Sequence, residues 1–181
     1  MKARTTSLDG VLILEPQVFE DARGFFFESF NTKAFEAVTG FDARFVQDNQ
    51  SHSSRDVLRG VHYQVVRPQG KLVRAVSGRI FDVAIDLRRS SRQFGRWVGI
   101  ELSAENRHQL WVPPGFGHAF LVLSASAEVL YKTTEYWYAE HDRTILWSDP
   151  AIGIQWPLSG APLVSQKDAS APLLERAELF D

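Results

Sequence analysis

The segment Phe81-Asp82-Val83-Ala84-Ile85-Asp86-Leu87 decides how this chain folds, because large apolar residues stand at every odd position. Successive side chains of a strand point to opposite faces, so the odd positions face a core while Asp82 and Asp86 face the other side. Similar runs, separated by turn residues such as Gly and Pro, occur at 71–76, 97–102, 109–113, 117–123 and 127–134. This pattern, without any βαβ alternation, predicts a mainly β protein built as a sandwich or jelly roll.

Little of the remaining sequence predicts helix. Residues 31–39 form one candidate helix, with Asn31 at the N-cap position and Gly40 just after its end. Residues 171–180, which begin with Ala171-Pro172, form the other. Both helices are expected to be short and peripheral, and residues 171–181 are expected to form a C-terminal tail.

The composition indicates one globular domain over residues 1–181. Hydrophobic residues make up 44% of the chain and charged residues 23%, which allows a sizeable core without disulfides. The formal net charge of −2 argues against a broad surface for nucleic acid or membrane, so a small-molecule partner is expected. The chain has no cysteine, and the apolar run at 11–14 is too short for a signal peptide or a membrane span. We therefore expect a cytoplasmic protein.

Three neighbouring segments place polar side chains in strand-like sequence. They are Gln47-Asp48-Asn49-Gln50-Ser51, Leu58-Arg59-Gly60-Val61-His62-Tyr63-Gln64 and Gln69-Gly70-Lys71-Leu72-Val73. A single histidine on a strand is more often a hydrogen-bonded structural residue than a catalytic one. His62 taken alone therefore does not identify a site.

Further motifs add specificity through their order and spacing. They are Asp21-Ala22-Arg23-Gly24-Phe25-Phe26-Phe27-Glu28, Pro114-Gly115-Phe116-Gly117-His118-Ala119-Phe120, Tyr131-Lys132-Thr133-Thr134, Ile145-Leu146-Trp147-Ser148-Asp149-Pro150 and Ser165-Gln166-Lys167-Asp168. Together with the segments around His62 they resemble the dTDP-4-dehydrorhamnose 3,5-epimerase family. The resemblance extends from about residue 10 to about residue 170, and the ordered set is far more specific than any one motif.

The resemblance implies a cupin-type jelly-roll β-barrel with a few short peripheral helices. It implies epimerisation at C3 and C5 of dTDP-4-dehydro-6-deoxy-D-glucose to dTDP-4-dehydro-L-rhamnose, a step toward rhamnose-containing carbohydrates such as lipopolysaccharide, with no cofactor and no metal. It also implies a homodimer whose N-terminal strands cross to the partner, so that Arg23 and Glu28 complete the neighbouring site. The apolar alternation at 11–19 and 25–30 suits exchanged strands.

By the same resemblance, four residues carry catalysis. His62 is the general base, Asp168 orients it, Tyr131 supplies a proton, and Lys71 is the cation near the ketone oxygen. These residue types suit the chemistry, because a hydrogen next to a ketone becomes removable when a base takes it while a cation stabilises the enolate. A free imidazole, with a pKa of about 6.5, suits a base near neutral pH. Inversion then requires a proton from the opposite face, which a phenol across the ring can supply.

The resemblance assigns further residues to substrate binding. Arg59 and Arg23 match pyrophosphate and nucleotide contacts, which suits the planar fork of donors on a guanidinium. Residues that match contacts to thymidine or to other parts of the substrate are Glu28, Gln47, Asn49, His118 and Lys167. The chain departs from the family pattern at three places: Trp137 replaces a stacking tyrosine, Asp142 replaces a glutamate, and the loop 65–68 is one residue short.

Three other functions are open at this point. A metal-dependent cupin is disfavoured because the five histidines form neither an H-x-H nor an H-E-x-x-H spacing. An epimerase that acts only at C3 or only at C5 would use the same residues, and one sequence does not separate it from the double epimerase. A non-catalytic sugar-nucleotide binding module has no reason to combine His62, Asp168, Lys71 and Tyr131.

Overall fold

Two antiparallel sheets pack face to face in the computed structural model, which describes residues 1–42 and 44–181. The strands of those residues are β1 (Lys2–Thr5), β2 (Leu12–Glu15), β3 (Val18–Asp21), β4 (Gly24–Phe27), β5 (Gln47–Ser54), β6 (Leu58–Gln64), β7 (Lys71–Ser77), β8 (Arg79–Asp86), β9 (Trp97–Ser103), β10 (Gln109–Val112), β11 (Phe116–Val122), β12 (Ser126–Thr133) and β13 (Asp142–Thr144). The helices are α1 (Thr32–Thr39) and α2 (Gln166–Ala169), with 3₁₀ turns at Ala139–His141 and Leu174–Arg176. The prediction of a mainly β protein is confirmed.

The strand order makes this a jelly-roll arrangement. One sheet has six strands in the order β1-β2-β10-β7-β12-β5, and the other has five in the order β13-β6-β11-β8-β9. Neighbours in each sheet are mostly distant in sequence, as in the double-sheet folds of cupins. Strands β3 and β4 pair with each other and form a separate two-stranded hairpin.

Three apolar clusters hold the layers together. The central cluster lies between the two sheets and includes Val73 and Val129 from one sheet with Ala84 and Phe120 from the other. A second cluster covers the outer face of the five-stranded sheet with residues of the C-terminal segment. The third places Phe35 of α1 against Trp111 on the outer face of the six-stranded sheet, with ring centroids 5.1 Å apart.

The alternation predicted for β8 is present, but both of its faces are buried. Val83 and Ile85 belong to the outer cluster, whereas Asp82 and Asp86 point between the sheets and are 0% exposed. This burial of both faces arises because the C-terminal segment covers the outer side of the strand. A carboxylate that the sequence places opposite the apolar face therefore lies inside the protein.

The helix predicted at 31–39 is confirmed, with Asn31 accepting a hydrogen bond from the backbone N–H of Ala34 and Gly40 in the left-handed conformation after its end. The helix predicted at 171–180 is wrong. Only Leu174–Arg176 forms a 3₁₀ turn there, and Phe180 makes a parallel β-bridge to Arg88. Apart from this turn the tail is irregular, and it buries Leu174 and Ala177 against the outer face of the five-stranded sheet, so packing outweighs local helix preference.

Within the described residues, no helix is long and apolar enough to cross a membrane.

Candidate functional site

A cavity of about 460 Å³ opens between the two sheets. Strands β5, β7 and β12 supply one wall, and β6 and β11 supply the other. The lining residues are Asp48, Asn49, Gln50, Ser51, Arg59, His62, Lys71, His118, Phe120 and Tyr131. The structure thus brings six of the predicted site residues together in one cavity: Asn49, Arg59, His62, Lys71, His118 and Tyr131.

A larger cavity, of about 820 Å³, lies elsewhere and is lined mainly by residues 92–97, 7–8 and 151–152. Its lining includes Arg92 and Arg96 but neither a carboxylate nor a histidine. Without an acid–base pair it offers no group for proton transfer. Chemistry therefore identifies the smaller cavity as the candidate site.

His62 faces the cavity because of the alternation on β6. Its neighbours Val61 and Tyr63 enter the outer apolar cluster, so the side chain between them points to the inner face. His62 Nε2 lies 2.7 Å from Asp168 Oδ1, although the two residues are 106 positions apart. With Nε2 occupied by the carboxylate, Nδ1 is the ring nitrogen left to meet a ligand.

Asp168 is held in place by the capped N-terminus of α2. It is 2% exposed, and its backbone N–H donates to Ser165 Oγ at 3.1 Å, which caps α2. Burial alone raises the pKa of Asp168, but hydrogen bonds with His62, Ser165 and Gly60 together with the charge of His62 outweigh it, so the pKa lies below its ordinary value. The carboxyl group is therefore ionised near neutral pH and accepts the His62 Nε2–H.

Lys71 and Tyr131 approach from the opposite sheet. Thr133 pairs with Lys71 and Tyr131 pairs with Val73 in the β12–β7 register, so both side chains belong to the same inner face. Lys71 is 8% exposed, and its Nζ donates to the carbonyl oxygen of His62 at 3.5 Å. Burial lowers the pKa of Lys71 to about 8, although the charges of Asp142 and Asp82 oppose the shift.

Tyr131 carries a proton near neutral pH. Burial raises the pKa of its hydroxyl above the ordinary value, and Arg59 opposes that shift while Asp142 adds to it. A phenol in this state can donate a proton to a carbanion and recover it from water. A protonated phenol and an imidazole thus lie on opposite walls of one cavity.

Two further predicted residues are fixed within the cavity wall. Arg59 donates from Nε to Ser53 Oγ at 3.0 Å, which leaves its terminal guanidinium nitrogens for a ligand. His118 pairs directly with His62 across the β11–β6 ladder, and its Nε2 lies 2.8 Å from Asp82 Oδ1. The cavity wall thus holds two neighbouring imidazoles, each bound to a buried carboxylate.

The residues predicted to contact the nucleotide lie around the cavity mouth. Gln47 donates to Asn49 Oδ1 at 2.9 Å and accepts from the backbone N–H of Trp137 at 3.1 Å. The Trp137 side chain is free to stack, since the residue is 57% exposed. Asp142 forms an ion pair with Lys167, which lines an adjoining cavity of about 340 Å³ that also includes His62 and Asp168.

Arg23 and Glu28 lie outside both of these cavities. Arg23 is on the β3–β4 hairpin, its side chain is 90% exposed, and it pairs with Asp21 of the same turn. Glu28 follows β4 and accepts a hydrogen bond from Asn31. Within a single chain, the structure does not bring these two residues to the site.

Sequence reasoning missed Ser51 and Asp82. Ser51 lines the cavity and its hydroxyl is buried without a hydrogen-bond partner among the described residues, while Asp82 is the buried acceptor of His118. Ser51 could have been found from the sequence because it stands two residues after Asn49 on the same strand, so both side chains point to the same face. The signal for Asp82 is an acidic residue in the middle of an apolar strand.

Among residues 1–42 and 44–181, no three side chains of His, Asp and Glu come together as a metal-ligand group. In the cavity wall, His62–Asp168 and His118–Asp82 are separate pairs of two groups each.

Comparisons with known proteins show the family to which the chain belongs. The sequence profile described as dTDP-4-dehydrorhamnose 3,5-epimerase matches residues 5–176. The chain is 56% identical over 180 residues to dTDP-4-dehydrorhamnose 3,5-epimerase of Pseudomonas aeruginosa, covering 99% of each chain. It is 55% identical over 177 residues to the protein of that name from Salmonella typhimurium, covering 97% of each.

A solved structure shares the whole architecture. It is dTDP-6-deoxy-D-glucose-3,5-epimerase from Legionella pneumophila Philadelphia 1 in complex with dTDP-4-keto-L-rhamnose, with a TM-score of 0.96 and 47% identity. The alignment covers 98% of this chain and 94% of the other.

Proposed function

Because the chain belongs to the dTDP-4-dehydrorhamnose 3,5-epimerase family, we propose that His62 and Tyr131 carry the proton transfers of its reaction. The enzyme is an isomerase that epimerises C3 and C5 of dTDP-4-dehydro-6-deoxy-D-glucose to give dTDP-4-dehydro-L-rhamnose. The roles of individual side chains are our proposal. One observation carries it: a base with its carboxylate and a protonated phenol occupy opposite walls of the same cavity.

In the first step, His62 Nδ1 removes a proton from the carbon next to the C4 ketone. The 2.7 Å contact between Nε2 and Asp168 fixes the tautomer in which Nδ1 carries a lone pair. As the ring becomes an imidazolium, the ionised carboxylate at Nε2 stabilises the new charge. A 2% exposed carboxylate meets little competing water, so the interaction is stronger than at the surface.

Lys71 stabilises the enolate oxygen that forms as the proton leaves. Its ammonium group is already buried between the sheets, so it needs no rearrangement when negative charge develops on the C4 oxygen. The pKa of about 8 keeps most of the Lys71 population cationic at neutral pH. This contribution is lost as the pH rises through that value.

Tyr131 returns a proton from the other side of the sugar ring. The enolate is planar at the reacting carbon, and a proton delivered opposite to His62 inverts that carbon. The raised pKa keeps the Tyr131 hydroxyl protonated for this step. Once His62 has released its proton to solvent and Tyr131 has regained one, repetition at the second carbon next to the ketone produces the double epimer.

The remaining residues hold the nucleotide end of the substrate. We propose that the free guanidinium nitrogens of Arg59 bind the diphosphate, which matches their planar donor geometry. Gln47 and Asn49 hydrogen-bond the thymine, and the exposed Trp137 ring stacks on it. His118 contacts the sugar and Lys167 contacts the sugar or phosphate, whereas Asp142 acts through its ion pair with Lys167.

We also propose that the working enzyme is a homodimer in which the β3–β4 hairpin packs on the partner. Phe19 and Phe26 pair across this hairpin, on one face, and are 56% and 70% exposed. The hairpin pairs with no other strand of the described residues. An exposed apolar pair on such a hairpin is typical of a protein–protein interface. The partner's Arg23 and Glu28 would then reach the site of this chain.

A complementation experiment tests the shared site. Arg23→Ala retains His62, and His62→Ala retains Arg23, so each variant alone should be inactive or nearly so. Unfolding and refolding an equal mixture yields heterodimers with one complete site, and about a quarter of wild-type activity should return if sites are shared. If no activity returns although the heterodimer forms, each chain completes its own site.

The activity is tested in heavy water. The protein is incubated with dTDP-4-keto-6-deoxyglucose and the sugar protons are followed by NMR. We expect deuterium at both C3 and C5, whereas deuterium at one carbon would identify a single-site epimerase. A cytoplasmic location stays a prediction from the sequence.

A further inference from the structure

We propose that Asp82 is a positioning residue of this enzyme, which orients His118 toward the cavity and supplies the buried counter-charge for Lys71. The proposal rests on the function proposed above, because it concerns the same cavity. Asp82 itself does not line the cavity, so it acts through these two neighbours. It would connect the wall that carries the histidines with the wall that carries the lysine.

The contact with His118 is built into the sheet. His118 pairs with Ala84 in the β11–β8 ladder, so Asp82 is its diagonal neighbour on the same face. Its Oδ1 lies 2.8 Å from His118 Nε2, and the two side chains are 0% and 8% exposed. Because Nε2 meets the carboxylate, the His118 ring turns Nδ1 toward the cavity that it lines.

The second carboxylate oxygen of Asp82 has no partner. Its Oδ2 is buried and makes no hydrogen bond to any of the described residues. A buried carboxylate oxygen without a donor is costly unless a positive charge lies close by. The orphaned oxygen therefore points to a long-range electrostatic role in addition to the bond through Oδ1.

Lys71 is the buried cation on which the Asp82 charge acts. In the described part of the chain, Lys71 forms no ion pair within 4.0 Å and donates only to the His62 carbonyl oxygen. Asp142 and Asp82 are the two acids whose charges favour its cationic form. Asp142 has the larger effect and also pairs with Lys167, whereas Asp82 pairs with His118 and has no lysine or arginine partner among the described residues.

Several other ionisable groups surround Lys71. The ionisable residues that line the cavity with it, or act on it through charge, are Asp48, Arg59, His62, His118, Tyr131, Asp82 and Asp142. Asp48 is paired with Lys132, and Arg59 adds positive charge. Removal of the Asp82 charge would therefore make the neutral form of Lys71 more favourable.

Asp82→Asn tests the proposal, with wild type assayed alongside. The amide keeps the volume of Asp82 but removes its charge, so kcat should fall about tenfold or more while affinity for dTDP changes less than about twofold. The alkaline limb of the pH–kcat profile should move to lower pH, because Lys71 loses its proton earlier. Asp82→Glu restores the charge and should return the limb toward its wild-type position.

Asp86→Asn is the matched control. Asp86 is an equally buried carboxylate on the same strand and the same face, but it binds Arg88 and Ser91 instead of a cavity residue. Removal of the Asp86 charge should lower the melting temperature without moving the alkaline limb of the pH–kcat profile. If Asp82→Asn also leaves the limb in place, or if Asp86→Asn moves it equally, Asp82 has only a structural role and the proposal is overturned.

A second variant covers failure of Asp82→Asn to fold. His118→Gln retains a hydrogen-bonding group beside Asp82 but removes the imidazole, and it should lower kcat about tenfold with dTDP affinity retained. A kcat within twofold of wild type would overturn the proposal. Failure of the epimerase function itself is distinguishable, because wild type would then incorporate no deuterium at C3 or C5.

Discussion

Substitution of Asp168 by Asn is the most direct test of the proposed base. The change keeps the shape of the side chain but exchanges an acceptor oxygen for an NH₂ donor. In the native chain His62 Nε2–H donates to Asp168 Oδ1 over 2.7 Å. An amide donor at that place would favour the other tautomer, in which Nε2 accepts and Nδ1 carries the proton. His62 would then have no lone pair to offer the substrate.

The expected loss follows from two contributions. A hydrogen bond to a charged group contributes about 1.5–3 kcal/mol, and the lower end applies because the His62 side chain is 35% exposed. At about 1.4 kcal/mol per factor of ten, loss of this bond slows the reaction about tenfold. The wrong tautomer removes the general base as well, which brings the expected decrease in kcat to about 10²–10⁴-fold.

The assay compares kcat from NMR with dTDP affinity from calorimetry. Since Asp168 lies behind His62, dTDP should bind with nearly wild-type affinity. Ser165→Ala is the matched control, because it removes the cap of α2 but keeps the carboxylate, and it should cost about 1 kcal/mol of stability while lowering kcat far less than Asp168→Asn does. A folded Asp168→Asn protein with kcat within twofold of wild type would refute the base assignment.

The same variant has a pH signature in stability. The pKa of Asp168 is lower in the folded state, so its ionised form stabilises the fold above the ordinary pKa of about 4. That contribution is lost as pH falls through the depressed folded value. Denaturant unfolding should therefore show a larger stability difference between wild type and Asp168→Asn at pH 7 than at pH 3.

Other substitutions address the acid, the cation and the interface. Tyr131→Phe should retain deuterium exchange but lose inversion at one carbon at least, and NMR showing complete double inversion would contradict the proposed acid. Lys71→Met should lower kcat about 10²-fold. Wild-type kcat should decline as pH rises through about 8, because burial lowers the pKa of Lys71 to that value. A pH–kcat profile that stays flat to pH 9.5 would contradict the role of Lys71 as the cation. Phe26→Ser should shift the protein toward monomers in light scattering and weaken dTDP binding. Val66→Ser, also at an exposed apolar position, should do neither. A Phe26→Ser protein that stays fully dimeric would rule out the hairpin interface.

Local sequence patterns determined the elements of this protein. The spacing of apolar residues in β8 and the cap residues Asn31 and Gly40 act within a few residues of chain, so alternation and capping rules predict their outcome. The predicted helix at 171–180 failed for the opposite reason. Its apolar residues are buried against the outer face of the five-stranded sheet. Local sequence patterns do not show where that sheet lies, so they could not predict this packing.

The family resemblance supplied the list of site residues, and the comparisons confirm the family and the fold. Only the tertiary structure decided how those residues meet. His62 and Asp168 lie 106 positions apart and come together because the short helix α2 docks beside β6. His62 and His118 become neighbours through strand pairing alone.

The sequence by itself determined which residues could perform acid–base chemistry, because the functional groups of a side chain depend only on the type of amino acid. The tertiary structure decided which of them are buried, paired and opposed. Asp82 shows the difference: the alternation placed it opposite the apolar side of β8, but only packing of the two sheets made that side the interior. Burial and proximity depend on the whole folded chain, and they make this carboxylate the hydrogen-bond partner of His118.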